Sequence, residues 1–441
     1  MSKIGEMSTF QLVLMLVFGV AAVVAVAVFA LGGILGGGSG PVTRLELWGS
    51  VEERFVRDWI KETFEENEDI KVDYKYISAD SFDEELVDKI SVNEGPDMVL
   101  MSQDQIFRHR NRIYNISFDS FSKSQFRNTF VQSTEVFLND KEDSLYGLPV
   151  LIDPIVMYWN RSLLRGTGYV RPPESWGDFN GFVSDTVLKE DGIIIEPSVA
   201  LGEYENVEHS RDILSTLIFQ SGGGIIKEDK DGFSVVLDDK SSSQSIEPTV
   251  SALLFYTDFS NPDRSTYSWN RGFNNSLESF INEDLMVYFG RASDIVEIKD
   301  RNPLLDLGVA TVPEEKERGR SVSMGEVLGL TIMRSSENIG DSFSAMTHLT
   351  SSYSLDILSD NFYGMPPARA DVLSDSSGNS VYEPVFYSSA INSVSYINPI
   401  SDEDMEDIFK EMVEGVVDGD MEVIEAVRGA SRRMNNILRD R

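Results

Sequence analysis

The 441-residue chain contains no cysteine, which excludes disulfide bonds, thiolate metal sites, cysteine nucleophiles and a lipid-modified N-terminal cysteine. Histidine is also scarce: His109, His209 and His348 are far apart and lack the spacing of metal ligands. The chain has no Walker loop, no dinucleotide-binding fingerprint and no Gly-x-Ser-x-Gly nucleophile motif. We therefore expect no metal, no cofactor and no catalytic residue.

Basic residues are few: 38 Lys and Arg stand against 73 Asp and Glu, which gives a formal net charge of −35. Nucleic-acid binding requires clustered cations. The short basic cluster at Arg432 and Arg433 is typical of a helix C-terminus, so the sequence predicts no nucleic-acid partner. The hydrophobic fraction of 41% is ordinary for a globular protein, and the length suggests about two or three domains.

Charged residues are absent from residues 7–43, and residues 10–35 are almost continuously apolar. A helix needs about 20 such residues to cross a bilayer, so the sequence predicts a transmembrane signal-anchor at 10–35, after a cytoplasmic start at 1–9. Cleavage near Ala30, as in a signal peptide, is the open alternative. The glycine-rich residues 36–43 predict a flexible tether. We expect a single-pass protein of the cell membrane, with the remainder of the chain outside the cytoplasm.

The first soluble stretch switches between strand-like and helix-like apolar periodicity. Strands are predicted at 43–48, 70–76 and 98–101, and helices at 51–64 and after a capping box formed by Ser81 and Glu84. This alternation predicts an α/β fold with doubly wound, largely parallel sheets. In such sheets ligands bind beyond the carboxyl ends of the strands.

Short motifs follow one another in the order of a known family. They are Trp48-Gly49, Gly95-Pro96-Asp97, Tyr146-Gly147-Leu148-Pro149, Pro173 with Trp176, Phe280-Ile281-Asn282-Glu283, Val312-Pro313 and Tyr363-Gly364-Met365-Pro366. Together they resemble the family 1 extracellular solute-binding proteins of ABC importers, the group that includes maltose-binding protein, from about Leu45 onward. The chain departs from that family at its anchor, because many members carry a lipid on an N-terminal cysteine.

The resemblance implies a fold of the periplasmic-binding-protein type II, in which two α/β lobes close around a ligand by hinge motion. It implies chain crossings near Asp153, near 309–312 and near Ser351. The lobes then comprise 44–152 with 312–351, and 153–311 with 352–441. The implied function is capture of a small solute and its delivery to the transmembrane subunits of an ABC permease, without catalysis.

Sugar recognition needs flat aromatic faces and planar polar side chains. The candidate aromatic platforms, at predicted loops and strand ends, are Trp48, Trp176, Tyr204, Trp269, Tyr288, Phe289 and Tyr363. Each is alternatively a core residue, although polar neighbours favour a platform role for Trp269. The candidate polar ligands are Ser50, Asp104, Gln105, Asp153 and Arg291. The alternatives are a helix N-cap for the Gln105 segment, a hinge hydrogen bond for Asp153 and a surface ion pair for Arg291.

Two other functions stay open on the sequence alone. One is an enzyme that acts on cell-surface glycans with two carboxylates facing one cleft. The other is a ligand-presenting subunit of a sensor rather than of an importer. The abundance of aromatic residues favours a sugar or oligosaccharide as the ligand, while related binding proteins also take polyamines or anions. Ligand identity and oligomeric state are left open.

Overall fold

A computed structural model describes residues 42–65, 67, 69–229, 232–240, 247–315, 322–361, 364–374 and 380–439. The predicted signal-anchor, and its tether up to residue 41, lie outside the described residues. In the described ranges no helix combines the length and the apolar character that a membrane crossing requires.

Strands and helices are interspersed along the described part of the chain. The strands are β1 Thr43–Gly49, β2 Ile70–Tyr76, β3 Met98–Ser102, β4 Ile116–Ser117, β5 Leu138–Asn139, β6 Ser144–Leu145, β7 Leu148–Asn160, β8 Leu188–Glu190, β9 Ile193–Glu196, β10 Ile226–Asp229, β11 Gly232–Val235, β12 Val287–Arg291, β13 Leu307–Ala310, β14 Ser323–Ile332 and β15 Ser393–Val394. The α-helices are α1 Glu53–Thr63, α2 Ala79–Ser91, α3 Gln103–His109, α4 Lys123–Thr129, α5 Arg161–Leu164, α6 Trp176–Thr186, α7 Ser210–Gln220, α8 Pro248–Thr257, α9 Ser276–Ile281, α10 Asp294–Arg301, α11 Ile339–Leu349, α12 Ser352–Asn361, α13 Ala370–Ser374, α14 Glu383–Ile391, α15 Asp402–Val417 and α16 Val423–Arg439. Short 3-10 helices cover Arg110–Arg112, Gln132–Phe137 and Asp258–Ser260.

The first strand and helix follow the apolar pattern of the sequence. In β1, Leu45 and Leu47 alternate with exposed residues and are buried. In α1, Val56, Trp59 and Ile60 recur at helical spacing and are buried. The strand and the helix predicted for this stretch are therefore confirmed, apart from their terminal residues.

The capping box predicted at Ser81 is wrong. Helix α2 already begins at Ala79, and Ser81 lies in its first turn, where its hydroxyl donates to the carbonyl of Ser78 at 3.4 Å. A capping box forms instead at the next helix. There the Ser102 hydroxyl accepts from the Gln105 N–H at 3.4 Å, and the Gln105 side chain accepts from the Ser102 N–H at 3.0 Å. This reciprocal pair satisfies two amides that α3 leaves free.

The central sheet is mixed rather than largely parallel as predicted. Its strand order is β12-β7-β14-β3-β1-β2, with β13 also on β7 and β15 also on β14. Strands β1 and β3 are parallel. Strand β14 is antiparallel to both β3 and β7, and β12 and β13 are antiparallel to β7. Strand β7 therefore runs against each of its neighbours, and β14 runs against β3 and β7 but parallel to β15. The predicted parallel pairing holds for β1 with β3.

Strands β7 and β14 join two lobes. We call the side built on β1 and β3 the first lobe and the side built on β12 and β13 the second lobe. The first half of β7 pairs with β14, and from Ile155 onward β7 pairs with β12. A hydrophobic core cluster of the second lobe extends from Ile155 to Met434 and contains none of the described residues before Ile155. Asp153 lies beside this change of partner, which supports a crossing there; the crossing expected near 309–312 stays a prediction.

The helix that follows Ser351 packs on the first lobe. The indole N–H of Trp59 in α1 donates to the Ser354 hydroxyl in α12 at 2.7 Å. In contrast, the Ser431 hydroxyl in α16 donates to Asp238 of the second lobe at 2.5 Å. The boundary expected near Ser351 therefore does not coincide with a change of packing partner. We propose that the third crossing lies between β15 and α15.

Candidate functional site: the cleft between the lobes

Two cavities share Arg291: the first lies at the junction of the lobes, and the second is lined by residues of the second lobe. The first has a volume of about 610 Å³ and is bounded by the loop after β1, the start of α10 and the middle of β14. Ser50 and Arg54 line it from the first lobe, and Asp294 and Asp300 line it from the second. Because both lobes contribute walls, a change in the angle between the lobes would change its shape. We call it the first cleft cavity.

The floor of the first cleft cavity carries two carboxylates on the joining strands. Asp153 in β7 and Glu326 in β14 are paired in register. The Asp153 carboxylate accepts from the N–H of Ser293 at 3.0 Å and from its hydroxyl at 2.6 Å. Burial raises the pKa of Asp153 to about 6, although Arg291 and these hydrogen bonds act in the opposite direction. The hinge hydrogen bond considered for Asp153 is therefore present.

Arg291, the last residue of β12, connects the floor to the second lobe. Its Nε and Nη2 atoms donate to one carboxylate oxygen of Asp212 at 3.0 and 2.8 Å, and Nη1 donates to Glu326 at 2.6 Å. Burial acts to raise the pKa of Asp212, but Arg291 and Arg211 outweigh burial and hold it below its usual value. Arg291 thus forms a part-buried ion-pair network rather than the surface ion pair considered from the sequence.

Asp294 opens α10 and gathers donors from three residues. The Tyr288 hydroxyl donates to it at 2.6 Å, the Arg291 N–H donates at 3.0 Å, and His209 Nε2 lies 3.1 Å away. Burial acts to raise the pKa of Asp294, but His209 and the hydroxyl of Tyr288 keep it below its usual value. The same contact raises the pKa of His209 against the effect of burial. Asp294 is therefore a charged residue held by its surroundings at the cavity wall.

The second cleft cavity has a volume of about 590 Å³ and shares Arg291 with the first. Its wall combines Tyr204 and His209 with charged groups of both signs, among them Arg211, Glu406 and Lys410. Arg211 Nη1 lies 3.0 Å from a carboxylate oxygen of Glu406. Both cavities are lined mainly by polar and charged side chains, which offer hydrogen-bond donors and acceptors.

Ion pairs also connect the lobes at the cavity margins. Arg54 in α1 donates to Asp300 in α10 at 3.3 Å. Arg108 in α3 donates to Asp402 in α15 at 2.7 Å. Each pair joins an arginine of the first lobe to an aspartate of the second, so both depend on the distance between the lobes.

Four of the sequence-predicted ligand residues line the two cavities. Ser50, Asp153 and Arg291 line the first, and Tyr204 and Arg291 line the second. The Tyr204 side chain is largely buried, and its hydroxyl donates to Glu406 at 2.5 Å. These residues come from four separate stretches of the chain, and the fold brings them to two cavities that share Arg291; their role as ligand-binding residues stays a prediction.

Most of the predicted aromatic platforms are core residues. Trp48, Trp269, Tyr288 and Phe289 are all at most 2% exposed. Trp269 stacks on Phe273 with ring centroids 4.6 Å apart, and its indole N–H donates to an amide oxygen at 3.2 Å. A fully buried ring has no face to offer a ligand, so the platform prediction is wrong for these four residues in this conformation. The core alternative applies to them.

Trp176 lies away from the cleft. It lines a separate cavity of about 490 Å³ within the second lobe and is 8% exposed. Its indole N–H donates to Gln220 at 2.6 Å, and its ring packs edge-on against Phe179 and Phe255. Trp176 therefore packs within the second lobe and does not meet the cleft residues.

The remaining candidates are the residues after β3 and Tyr363. Gln105 uses its side chain in the capping box of α3, which confirms the N-cap alternative. Asp104 accepts from the N–H of Asn398 at 3.0 Å, and burial raises its pKa to about 7. Neither residue lines the two cleft cavities. Tyr363 lies outside the described residues.

The sequence analysis missed several cleft residues. Arg54, Asp212, Glu326 and Glu406 were not among the candidates. Glu326 is the one with a readable signal, because it is a single carboxylate within the apolar strand β14. Across the described part of the chain, no group of three His, Asp or Glu residues has the geometry of a metal site.

Comparisons with known proteins agree with this architecture. The family model described as "Bacterial extracellular solute-binding protein" matches residues 49–352. No curated protein matches the sequence. Solved structures match at low identity over nearly the whole chain.

Three of these structures are similar in fold. The cyclic α-maltosyl-1,6-maltose binding protein from Arthrobacter globiformis has a TM-score of 0.75 at 14% identity and covers 91% of this chain and 100% of its own. A cyclo/maltodextrin-binding protein complexed with maltotetraose has a TM-score of 0.73 at 15% identity, with 90% and 98% covered. The sugar-binding protein MalE from Xanthomonas citri has a TM-score of 0.70 at 18% identity, with 90% and 98% covered. The two-lobe α/β fold is therefore common to all of them.

Proposed function

The chain belongs to the family of bacterial extracellular solute-binding proteins, and we propose that it captures a sugar or oligosaccharide in the cleft between its lobes and delivers it to an ABC permease. The observation that carries this proposal is the polar first cleft cavity, which has walls from both lobes and shares Arg291 with a second polar cavity of the second lobe. The names of the three structural relatives support a saccharide as the ligand class.

The chemistry of the cleft suits hydroxyl groups. Carboxylates such as Asp153 and Glu326 accept hydrogen bonds from hydroxyls, while Arg291 and Arg54 donate several each. These groups belong to different elements, so a ligand that fills the cleft would bridge the two lobes. Ligand binding would then favour the closed state by its differential affinity for that state.

Closure would occur by bending of the joining strands. Strands β7 and β14 are the long elements that pair with neighbours in both halves of the sheet, and such crossing segments absorb the backbone changes of hinge motion. A permease that recognises both lobes would distinguish the closed, loaded form from the open one.

We further propose that residues 10–35 anchor the protein in the cell membrane. This segment carries no charge and is long enough to span a bilayer. The family is extracellular, so the binding lobes belong outside the cytoplasm, and the glycine-rich residues 36–43 would give them freedom to reach a neighbouring permease.

A ligand screen with a steric control tests the saccharide proposal. The full chain in detergent micelles is heated with neutral oligosaccharides such as maltotriose. A ligand at 100 times its Kd adds about 2.7 kcal/mol of stability, which raises the melting temperature visibly. The variant Ser50→Trp fills the first cleft cavity and should abolish the shift, whereas Ser91→Trp, on an exposed part of α2, should keep it. A shift that survives Ser50→Trp contradicts binding in this cleft.

A further inference from the structure

Carboxylates dominate the wall of the first cleft cavity. Six line it: Glu52, Asp153, Asp294, Glu297, Asp300 and Glu326. Only Arg54 and Arg291 oppose them there, and Phe55 is the one aromatic residue among the lining residues that the structure describes. The first cleft cavity is therefore acidic, and it lacks the broad aromatic surface expected from the sequence.

The two guanidinium groups of this cavity are already paired within it. Arg54 lies 2.9 Å from a carboxylate oxygen of Glu52 and 3.3 Å from one of Asp300. Arg291 donates to Glu326 and, outside the first cavity, to Asp212. Each arginine is thus already paired with two carboxylates. Because six carboxylates line the cavity and only two arginines oppose them, the cavity carries a surplus of negative charge.

Asp153 is the carboxylate of this cavity whose negative charge is least well compensated, and it lies on the joining strand β7. The residue is 4% exposed, and its carboxylate accepts hydrogen bonds from the N–H and hydroxyl of Ser293, which carry no charge. A carboxylate buried without a directly bonded cation is costly, because the interior solvates it poorly. Closing the lobes over a neutral ligand would increase that cost, whereas a cation in the cavity would lower it.

The second cleft cavity is balanced by comparison. Its four carboxylates, Glu205, Glu208, Asp212 and Glu406, face Arg211, Arg291 and Lys410. A part of the ligand that extends into the second cavity would therefore meet donors and acceptors in similar number, which suits neutral hydroxyl groups.

We propose that the ligand is an amino sugar or a short oligosaccharide of amino sugars, whose ammonium group lies in the first cleft cavity and whose hydroxyl-bearing remainder extends toward the second. This inference rests on the proposed function and names its substrate class. Carboxylates at the cavity wall attract the ammonium group and repel an anionic sugar, so they set specificity by attraction and by repulsion together. The balanced donors and acceptors of the second cavity favour a saccharide over a linear polyamine, which has few acceptors to match.

Three trisaccharides of similar size separate charge from shape. The full chain in detergent micelles is titrated calorimetrically with the glucosamine trimer, the N-acetylglucosamine trimer and the galacturonic acid trimer, which are cationic, neutral and anionic. Spermidine serves as a cation without a sugar. We expect the glucosamine trimer to bind at least tenfold tighter than the neutral trimer, and the preference to fall as salt is raised.

Exposed carboxylates of the wall allow a variant that spares the buried network. The double change Glu297→Gln with Asp300→Asn removes two negative charges from α10 and leaves Asp153 and Arg291 in place. It should reduce the preference for the glucosamine trimer at least fivefold. The control Asp88→Asn removes an exposed carboxylate of α2 that does not line either cavity, and it should leave the preference unchanged.

Each outcome decides between the two proposals. Tighter or equal binding of the neutral or anionic trimer overturns the inference while the proposed sugar-binding function stands. Binding of spermidine without any saccharide overturns the sugar ligand and keeps the cation preference. No binding of any of these probes overturns the amino-sugar inference, and it overturns the proposed sugar-binding function as well only where the neutral oligosaccharides of the thermal screen also fail to shift the melting temperature.

Discussion

A contact outside the ligand cavities should set how readily the lobes close. The hairpin β10–β11 belongs to the second lobe, and its Phe233 packs edge-on against Phe107 of the first lobe, with ring centroids 4.9 Å apart and an interplanar angle of 84°. On the same hairpin, Glu228 lies 3.2 Å from the Nζ of Lys141. We call these four residues the clasp. They join the lobes without lining either cleft cavity.

The strength of the clasp follows from its geometry. An edge-to-face aromatic pair contributes about 0.5–1.5 kcal/mol beyond the area that it buries. The Lys141 pair is about half exposed, so it adds little. Since about 1.4 kcal/mol is a tenfold change in an equilibrium constant, Phe233→Ala should shift the ratio of closed to open protein by about 2- to 13-fold. Where the closed state is the minor one, the apparent Kd for the ligand rises by the same factor.

Because the chain has no native cysteine, spin labels attach only at cysteines that are introduced for the experiment. Cysteines placed at the exposed Asp88 and Asp263 report the distance between the lobes through paired spin labels, in the full chain, with and without saccharide. Phe233→Ala should increase the open population and weaken saccharide binding. Ile193→Ala, which truncates an exposed apolar residue on the other hairpin of the second lobe, is the matched control and should change neither.

A double-mutant cycle separates the contact from general destabilisation. Phe107→Ala and Phe233→Ala are compared with the double variant, and their coupling in saccharide affinity should equal the pair contribution of about 0.5–1.5 kcal/mol. Zero coupling, or an unchanged lobe distance in Phe233→Ala, would refute the role given to the clasp.

Four further perturbations have expected signs. Asp153→Asn should raise the unfolding free energy by up to about 3 kcal/mol at pH 8 and by only about 0.5 kcal/mol at pH 4, because the folded pKa of about 6 exceeds the unfolded value of 3.8 and stability is lost as the pH rises through this interval; equal gains in urea unfolding at both pH values would contradict this. His209→Gln should flatten the loss of stability as the pH rises above about 6.5, since Asp294 raises the folded pKa of His209 and the stabilisation is fully present below that pH; an unchanged pH profile of melting temperature would count against it. Trp176→Phe should cost about 0.5–1.5 kcal/mol in urea unfolding, because the buried hydrogen bond from the indole N–H to the amide oxygen of Gln220 is lost, and an unchanged stability would deny that bond a role. Removal of residues 1–41 should move the protein from the membrane to the soluble fraction, and retention in the membrane would exclude this anchor.

The fold was accessible from the sequence where it depends on local patterns. The alternation that predicts β1 and the helical spacing that predicts α1 are properties of short windows, and burial in the structure follows them. The direction of β14 was not accessible, because its antiparallel pairing with β3 joins residues such as Leu328 and Ser102 that are far apart in sequence. Strand direction is a property of the chain path, which no short window contains.

The aromatic candidates failed for a related reason. Trp269 has polar and turn-like neighbours in sequence, which suggest exposure, yet its ring stacks on Phe273 and its indole N–H finds an acceptor on Asn206. A buried tryptophan needs one hydrogen-bond acceptor for its indole N–H. Polar residues around a tryptophan are therefore compatible with a buried, hydrogen-bonded ring as well as with an exposed one. Local polarity therefore does not distinguish a ligand platform from a satisfied core residue.

The charged residues of the cleft depend on contacts between distant segments. Arg291 was a candidate because the resemblance implies a cleft loop at its position, but its partners Asp212 and Glu326 come from a helix and from the second joining strand. Each is an ordinary acidic residue in a chain with 73 of them. Their importance follows from convergence on one guanidinium group, which becomes visible only in three dimensions.

The position of these charges links ligand recognition to the hinge. Asp153 and Glu326 are paired in register on the two strands that join the lobes. The repulsion between these two carboxylates therefore acts at the place where closure bends the backbone. An ion pair through Arg291 attaches that floor to the second lobe. A ligand cation bound there would lower the repulsion between carboxylates at the hinge itself, and its charge would thereby contribute to closure as well as to affinity.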